Sequence, residues 1–309
     1  MAAGNAPLPA RKALRALATL ALAIAGLAQT PGAQVGPLPE QAFTYRELPF
    51  QVKVAGTERR GRAAVRDITY ANTWGERTAA YLVEPPGRAK GPGVLFVHWY
   101  EPESKDSNRT QFLDQAVDLA SDGVTSLLVE TMWSDPAWFK KRNPEEDYIK
   151  SIAQVQELRR ALDLLAAQKR VLPDKIAYVG HDFGAMYGAV LAGVDSRPSL
   201  WALQAGSGRL SDWYMLGRKL DPDARQKVIE KLAPLDPIAY IGKTSPARVL
   251  FQFGRQDPYV PEAQARVFFE AAREPKDLIW YNAGHGLDPQ AVRDRQEWLR
   301  QYLKIPSRQ

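Results

Sequence analysis

The chain contains no cysteine in 309 residues. That excludes disulfides, a thiolate metal site and a cysteine for lipid attachment, so a fold of this length must be held by its apolar core. Histidine is scarce as well, with three copies, His98, His181 and His285. Acid–base chemistry near neutral pH therefore has few addresses. A Gly-x-Gly-x-x-Gly fingerprint is missing, which argues against a nicotinamide cofactor, and the pattern asks for no other cofactor and no metal. No basic helix face or aromatic-interleaved basic patch is present, so nucleic acid is not an expected partner. The apolar run from Ala16 to Ala28 is too short to span a bilayer.

What is present is an ordinary globular composition, 45% hydrophobic and 25% charged. The formal net charge is +6, and half of it comes from Arg11, Lys12 and Arg15. Those three precede the apolar run, and Gly26-Leu27-Ala28 supplies small residues at its end. Residues 1–28 thus read as a signal peptide cleaved after Ala28, which predicts export to the periplasm or outside the cell, with no membrane association afterwards. The Pro/Gly-rich stretch that follows predicts a flexible lead-in over residues 29–45. Residues 46–309 are long enough for one large domain.

Period-2 alternation over Ala64 to Asn72 and Thr78 to Val83, around Thr73-Trp74-Gly75-Glu76, predicts an antiparallel hairpin. Six apolar runs then read as buried parallel strands: Gly93–Val97, Thr125–Val129, Ile176–Val179, Leu200–Gln204, Val249–Phe253 and Leu278–Tyr281. Helical spacing marks Gln111–Ala120, Gln290–Leu303 and Tyr148–Ala167, the last with Ile149, Ile152, Val155, Leu158, Leu162 and Leu165 on one face. The alternation predicts an α/β fold with a mostly parallel, doubly wound sheet. Residues 209–243 break it and read as a small lid insertion.

The chemistry centres on Gly180-His181-Asp182-Phe183-Gly184. It follows an apolar strand and opens a helix, the setting of a nucleophile elbow, with Asp182 where a serine commonly stands. An ordinary carboxylate titrates near ~3.9, so Asp182 is ionised at neutral pH without help from a base. Asp257, after the next-to-last strand, and His285, after the last, complete the order nucleophile–acid–histidine. Taken singly, Asp257 also fits a turn aspartate before Pro258, and His285 a polar cap in a glycine-rich loop.

These motifs, with Tyr81-Leu82-Val83-Glu84-Pro85-Pro86-Gly87 and Val94-Leu95-Phe96-Val97-His98, resemble the α/β-hydrolase superfamily and within it the dienelactone-hydrolase-like branch, over roughly residues 60 to 305. The resemblance implies an α/β-hydrolase fold, with an oxyanion hole made by the backbone amide of Phe183 and one from the loop after His98, at Trp99 or Tyr100. This chain departs from the branch in carrying His98-Trp99 for His-Gly and Asp182 for Ser or Cys. An elbow aspartate is similar to haloalkane dehalogenases and epoxide hydrolases of the same superfamily.

The chemical reason is that a carboxylate attacking saturated carbon gives an ordinary ester, whereas attack on an acyl group gives a high-energy anhydride. The sequence thus predicts an exported hydrolase of a small, partly apolar organic substrate, with Asp182 as nucleophile, His285 as base and Asp257 as orienting acid. Pocket candidates are His98, Glu101, Trp133, Trp213 and Tyr214, with Glu130 at another strand end. Phe183 offers no side-chain donor to a leaving group, and the interval from Asp182 to Asp257 accommodates a small lid but not a full cap domain. Two alternatives stay open: ester or lactone hydrolysis with Asp182 as a base for water, and a degenerate hydrolase that binds without turnover.

Overall fold

The computed structural model describes residues 36–244 and 246–305. The expected signal peptide and the start of the expected lead-in lie outside the described residues. A nine-stranded sheet in the order β1-β2-β3-β5-β4-β6-β7-β8-β9 organises the rest. Its strands are β1 (Lys53–Arg60), β2 (Ala63–Ala71), β3 (Arg77–Glu84), β4 (Gly91–Val97), β5 (Thr125–Val129), β6 (Val171–His181), β7 (Pro198–Gln204), β8 (Arg248–Gly254) and β9 (Lys276–Tyr281). The first three pair antiparallel, and β3 joins β5 the same way. From β5 across to β9 every neighbour is parallel.

Alternation along the central strands builds two cores. Leu95, Val97, Tyr178, Trp201, Leu203, Phe251 and Phe253 point to one face. Val94, Phe96, Ala177, Val179, Leu200, Ala202 and Leu250 point to the other. Helices α1 (Leu113–Ala120) and α6 (Pro289–Tyr302) cover the second face. Helices α2 (Asp147–Ala166), α3 (Phe183–Ala192) and α5 (Glu262–Ala271) cover the first. Every residue of α3 is buried, which a helix apolar on all sides requires.

The six predicted strands and the hairpin are all present, most of them a residue or more longer than the apolar runs suggest. Three differences have physical causes. β1 has no buried side chain, so its Lys-Val-Ala-Gly-Thr-Glu-Arg-Arg sequence carries no hydrophobic signal; pairing with β2 makes it a strand, and its charges suit an exposed edge. Ile149 is 57% exposed, because the buried face of α2 turns through Ser151, Gln154, Val155 and Leu158 instead. The lead-in is anchored at its end. A 3-10 turn at Glu40–Phe43 inserts Phe43 edge-on against Tyr240, 6.1 Å between ring centres, and Leu38 donates its amide to the Tyr240 hydroxyl.

The insertion at 209–243 contains the helical turn Leu210–Tyr214, helix α4 (Pro222–Leu232) and the turn Ile238–Ile241. It is packed into the molecule, with Leu210, Tyr214, Leu232, Leu235, Tyr240 and Ile241 in the core. No helix among the described residues is long and apolar enough to cross a membrane.

Candidate active site

The site lies at the carboxyl ends of β4, β6, β8 and β9. Because β4 and β6 are neighbours and Val97 is in register with Gly180, the chain leaving β4 meets the turn leaving β6. Asp182 sits in that turn at φ 55°, ψ −117°, a conformation costly for any residue with a side chain. Its surroundings enforce it: the Asp182 amide donates to Gln204 O (2.9 Å), and its carbonyl accepts the Met186 amide of α3 (2.9 Å). A Cβ on Gly180 would fall 2.3 Å from Gly184 O, and one on Gly184 2.2 Å from Val97 O. The two glycines therefore let helix α3 close on strands β4 and β6, which is why the elbow has this pattern.

The Asp182 side chain is fully buried. Its Oδ2 accepts the Tyr100 amide at 2.8 Å. Its Oδ1 is buried without a hydrogen-bond partner and lies 3.7 Å from His285 Nε2, an ion-pair distance but longer than a hydrogen bond. His285 Nδ1 donates to Asp257 Oδ2 at 2.8 Å. Asp257 Oδ1 accepts the amides of Tyr259 (2.8 Å) and Val260 (3.1 Å). The turn aspartate and the histidine's partner are thus one carboxylate, with one oxygen in each role.

Burial raises the Asp182 pKa above the usual carboxylate value, opposed by His285 and by the amides of Tyr100 and Phe183. Burial works against the charge on His285, yet Asp257 and Asp182 together outweigh it and push this pKa up to about 10. Both neighbouring carboxyl groups thus favour the proton on His285.

The Trp99 amide is not available to the expected oxyanion hole, because it is committed to Gln111 Oε1 at 2.8 Å. Tyr100 and Phe183 remain. Of the proposed pocket residues, the structure turns three away from it. His98 is buried, spending Nδ1 on Trp99 O and Nε2 on the hydroxyls of Ser134 and Thr131. Burial lowers its pKa to about 4, so it stays neutral. Trp133 is buried and donates to His98 O at 3.1 Å. Tyr214 is buried against the Tyr187 and Ser151 hydroxyls. Glu130 is paired with Arg109 at 3.2 Å.

Trp213 and Glu101 remain beside the chemistry. The Trp213 ring lies 5.4 Å from His285 and 5.6 Å from Phe183. Glu101 is half-buried, and burial raises its pKa within the field of His285 and Asp182. The sequence reading missed Tyr259, whose ring stands edge-on to His285 at 5.1 Å. Its one signal was its position two residues after Asp257. Gln111 was also missed, read only as the start of a helix. Among the described residues no group of three or more side chains suited to a metal is gathered.

No protein-family model and no curated protein sequence matches the chain. Solved structures do. Acetyl xylan esterase 1 from Thermoanaerobacterium sp. JW/SL YS485 superposes with a TM-score of 0.72 at 13% identity, over 98% of this chain and all of that one. An acetyl xylan esterase from Paenibacillus sp. R4 gives 0.66 at 19% identity, over 82% of this chain and 89% of its own. An alpha/beta hydrolase from Penicillium sp. sh18 gives 0.55 at 16%, over 77% and 98%. Identities this low speak to architecture alone. Together with the strand order and the elbow, they give the chain the α/β-hydrolase fold, with a carboxylate in place of the elbow hydroxyl.

Proposed function

We propose that this protein is a hydrolase in which Asp182 attacks a small, partly apolar organic substrate at saturated carbon and carries it as an ester. The observation behind this reading is how the Asp182 carboxylate is shared out. Oδ2 rests on the Tyr100 amide, while Oδ1 is unpartnered and faces His285. With a serine at the elbow, such amides receive the substrate's oxygen. Here they hold the nucleophile's own, so the carbonyl they serve is that of the aspartyl ester.

The steps follow from that division. Oδ1 forms a bond to carbon, and the leaving group departs with the electron pair of the bond it loses. The Asp182 charge is then gone, leaving Asp257 as the one carboxylate bonded to His285. The His285 pKa falls from about 10 towards its ordinary value, and its proton passes to the leaving group or to solvent. Neutral Nε2 can now take a proton from water as the water oxygen attacks Cγ. Negative charge develops on Oδ2 against the amides of Tyr100 and Phe183. Collapse releases an alcohol that carries off the former Oδ1.

His285→Gln tests this, because it spares the first step and removes the base for the second. Incubated with a panel of small epoxides and haloalkanes, this variant should accumulate an adduct on the peptide holding Asp182, seen as a mass increase. Absence of adduct from every compound the native enzyme consumes counts against the reading.

A second reading, hydrolysis of esters with Asp182 as base for water, is favoured by the two acetyl xylan esterases among the similar structures and by the raised Asp182 pKa. Asp182→Ser tests this second reading. A gain of turnover on 4-nitrophenyl acetate marks a serine-type scaffold, and a loss marks a carboxylate that does the chemistry. The same proposal includes export: the mature N-terminus of the protein recovered outside the cytoplasm should be Gln29.

A further inference from the structure

Gln111 lies in the turn ahead of α1 and touches both halves of the site without touching the reacting atoms. Its Oε1 accepts the Trp99 amide at 2.8 Å. Its Nε2 contacts His181 Nδ1 at 2.7 Å. His181 Nε2 in turn lies 2.9 Å from His285 O. The Trp99 ring stacks on the His181 ring at 4.9 Å and 20°, closing the circuit from the other side.

The proton inventory has one solution. His285 O is a carbonyl and can only accept, so His181 Nε2 carries the hydrogen. Burial, with the charges of His285 and Arg295, lowers the His181 pKa well below its usual value, so the ring is neutral and Nδ1 must accept. Trp99 N donates. The bridging side chain must therefore accept at one end and donate at the other, which a primary amide does and a carboxylate does not. With the Trp99 N–H turned to Gln111, the next N–H along, that of Tyr100, is the one that reaches Asp182.

We infer that Gln111 is a positioning residue that sets the oxyanion amide and the catalytic histidine together, through the Trp99 amide on one side and the His181 ring on the other. It rests on the reading of His285 as base, but its structural half is measurable without any substrate. The groups facing His285 are Asp257, Asp182, Glu101 and the Tyr259 and Trp213 rings, with His181 behind it. Those facing His181 are Gln111, the Trp99 ring, His285 and the Arg295 charge.

Only three histidines are present, so histidine-labelled protein gives a resolved imidazole nitrogen spectrum across pH. Native protein should show His181 as a single Nε2–H tautomer. Gln111→Glu should place a second proton on His181 and lower the His285 pKa, because a carboxylate needs an N–H opposite it and the new charge sits beside His285. Gln111→Met, which keeps the volume, should leave His181 neutral and still Nε2–H, held by His285 O, but shift its Nδ1 resonance because that nitrogen loses its donor. With any substrate the native enzyme turns over, Gln111→Met should lower kcat about tenfold or more, with KM changed far less, as a misaimed oxyanion amide does. Native-like His181 and His285 spectra in both variants would overturn the inference. So would a lowered melting temperature with unchanged spectra, which describes a merely structural side chain. Failure of the aspartyl-ester chemistry would leave the spectral result standing.

Discussion

At the residue scale, the proposed chemistry turns on a buried carboxylate whose two oxygens have different surroundings. Asp182→Asn removes the proposed nucleophile while keeping the shape, and turnover should fall on the order of 10³-fold or more in steady-state assays. The pH profiles should separate the two steps. Attack needs Asp182 ionised, so kcat/KM should rise with pH through a pKa above the ordinary ~3.9, since burial raises it. Release of the ester needs neutral His285, so kcat should rise through a second pKa. That second value lies below the resting value of about 10, because esterification removes one of the two carboxylates that hold the proton. A kcat limb still near 10 would mean that Asp182 keeps its charge throughout.

Among the elements, the elbow and the insertion both pack against the candidate site. Gly184→Ala would drive a Cβ to 2.2 Å from Val97 O, so either α3 or β4 must shift. A loss of stability of roughly 2 kcal/mol or more in denaturant unfolding is expected, along with loss of activity as the hole opens. Trp213, on the Leu210–Tyr214 turn, presses on Phe183, Tyr259 and His285. Trp213→Ala should shift kcat/KM towards bulkier substrates by about tenfold relative to small ones, read from a homologous substrate series. The order of Asp182, Asp257 and His285 was legible in the sequence because strand ends announce themselves as apolar runs stopping at polar loops. The partners of buried polar groups were not. Nothing in the spacing of His98, Trp133 or Tyr214 shows that their polar atoms are already taken by Ser134, His98 O and Tyr187, since those contacts cross between distant segments. For the same reason Gln111 was unreadable.

For the whole molecule, stability and the proposed reaction meet in His285. Its pKa is raised from an unfolded value near ~6.5 to about 10. The native state therefore binds the proton more tightly, and this stabilisation is complete below pH ~6.5 and lost as pH rises through 10. Denaturant midpoints measured between those limits should fall more steeply for the native protein than for His285→Gln. The docked Phe43 ties the segment before β1 to the insertion at Tyr240. Phe43→Ala should cost about 3–5 kcal/mol in the same experiment, the range for emptying an aromatic site in a core. An exposed edge such as β1 and an anchored lead-in were invisible in the sequence, because their order comes from partners and not from their own pattern. The proposed reaction rests on one bond, that between Asp182 and the substrate. A single turnover in heavy-oxygen water, followed by mass analysis of the Asp182 peptide, reports on it directly. The account predicts one heavy oxygen in Asp182 and an unlabelled alcohol product. Label in the product with none in Asp182, from an active enzyme, would contradict it.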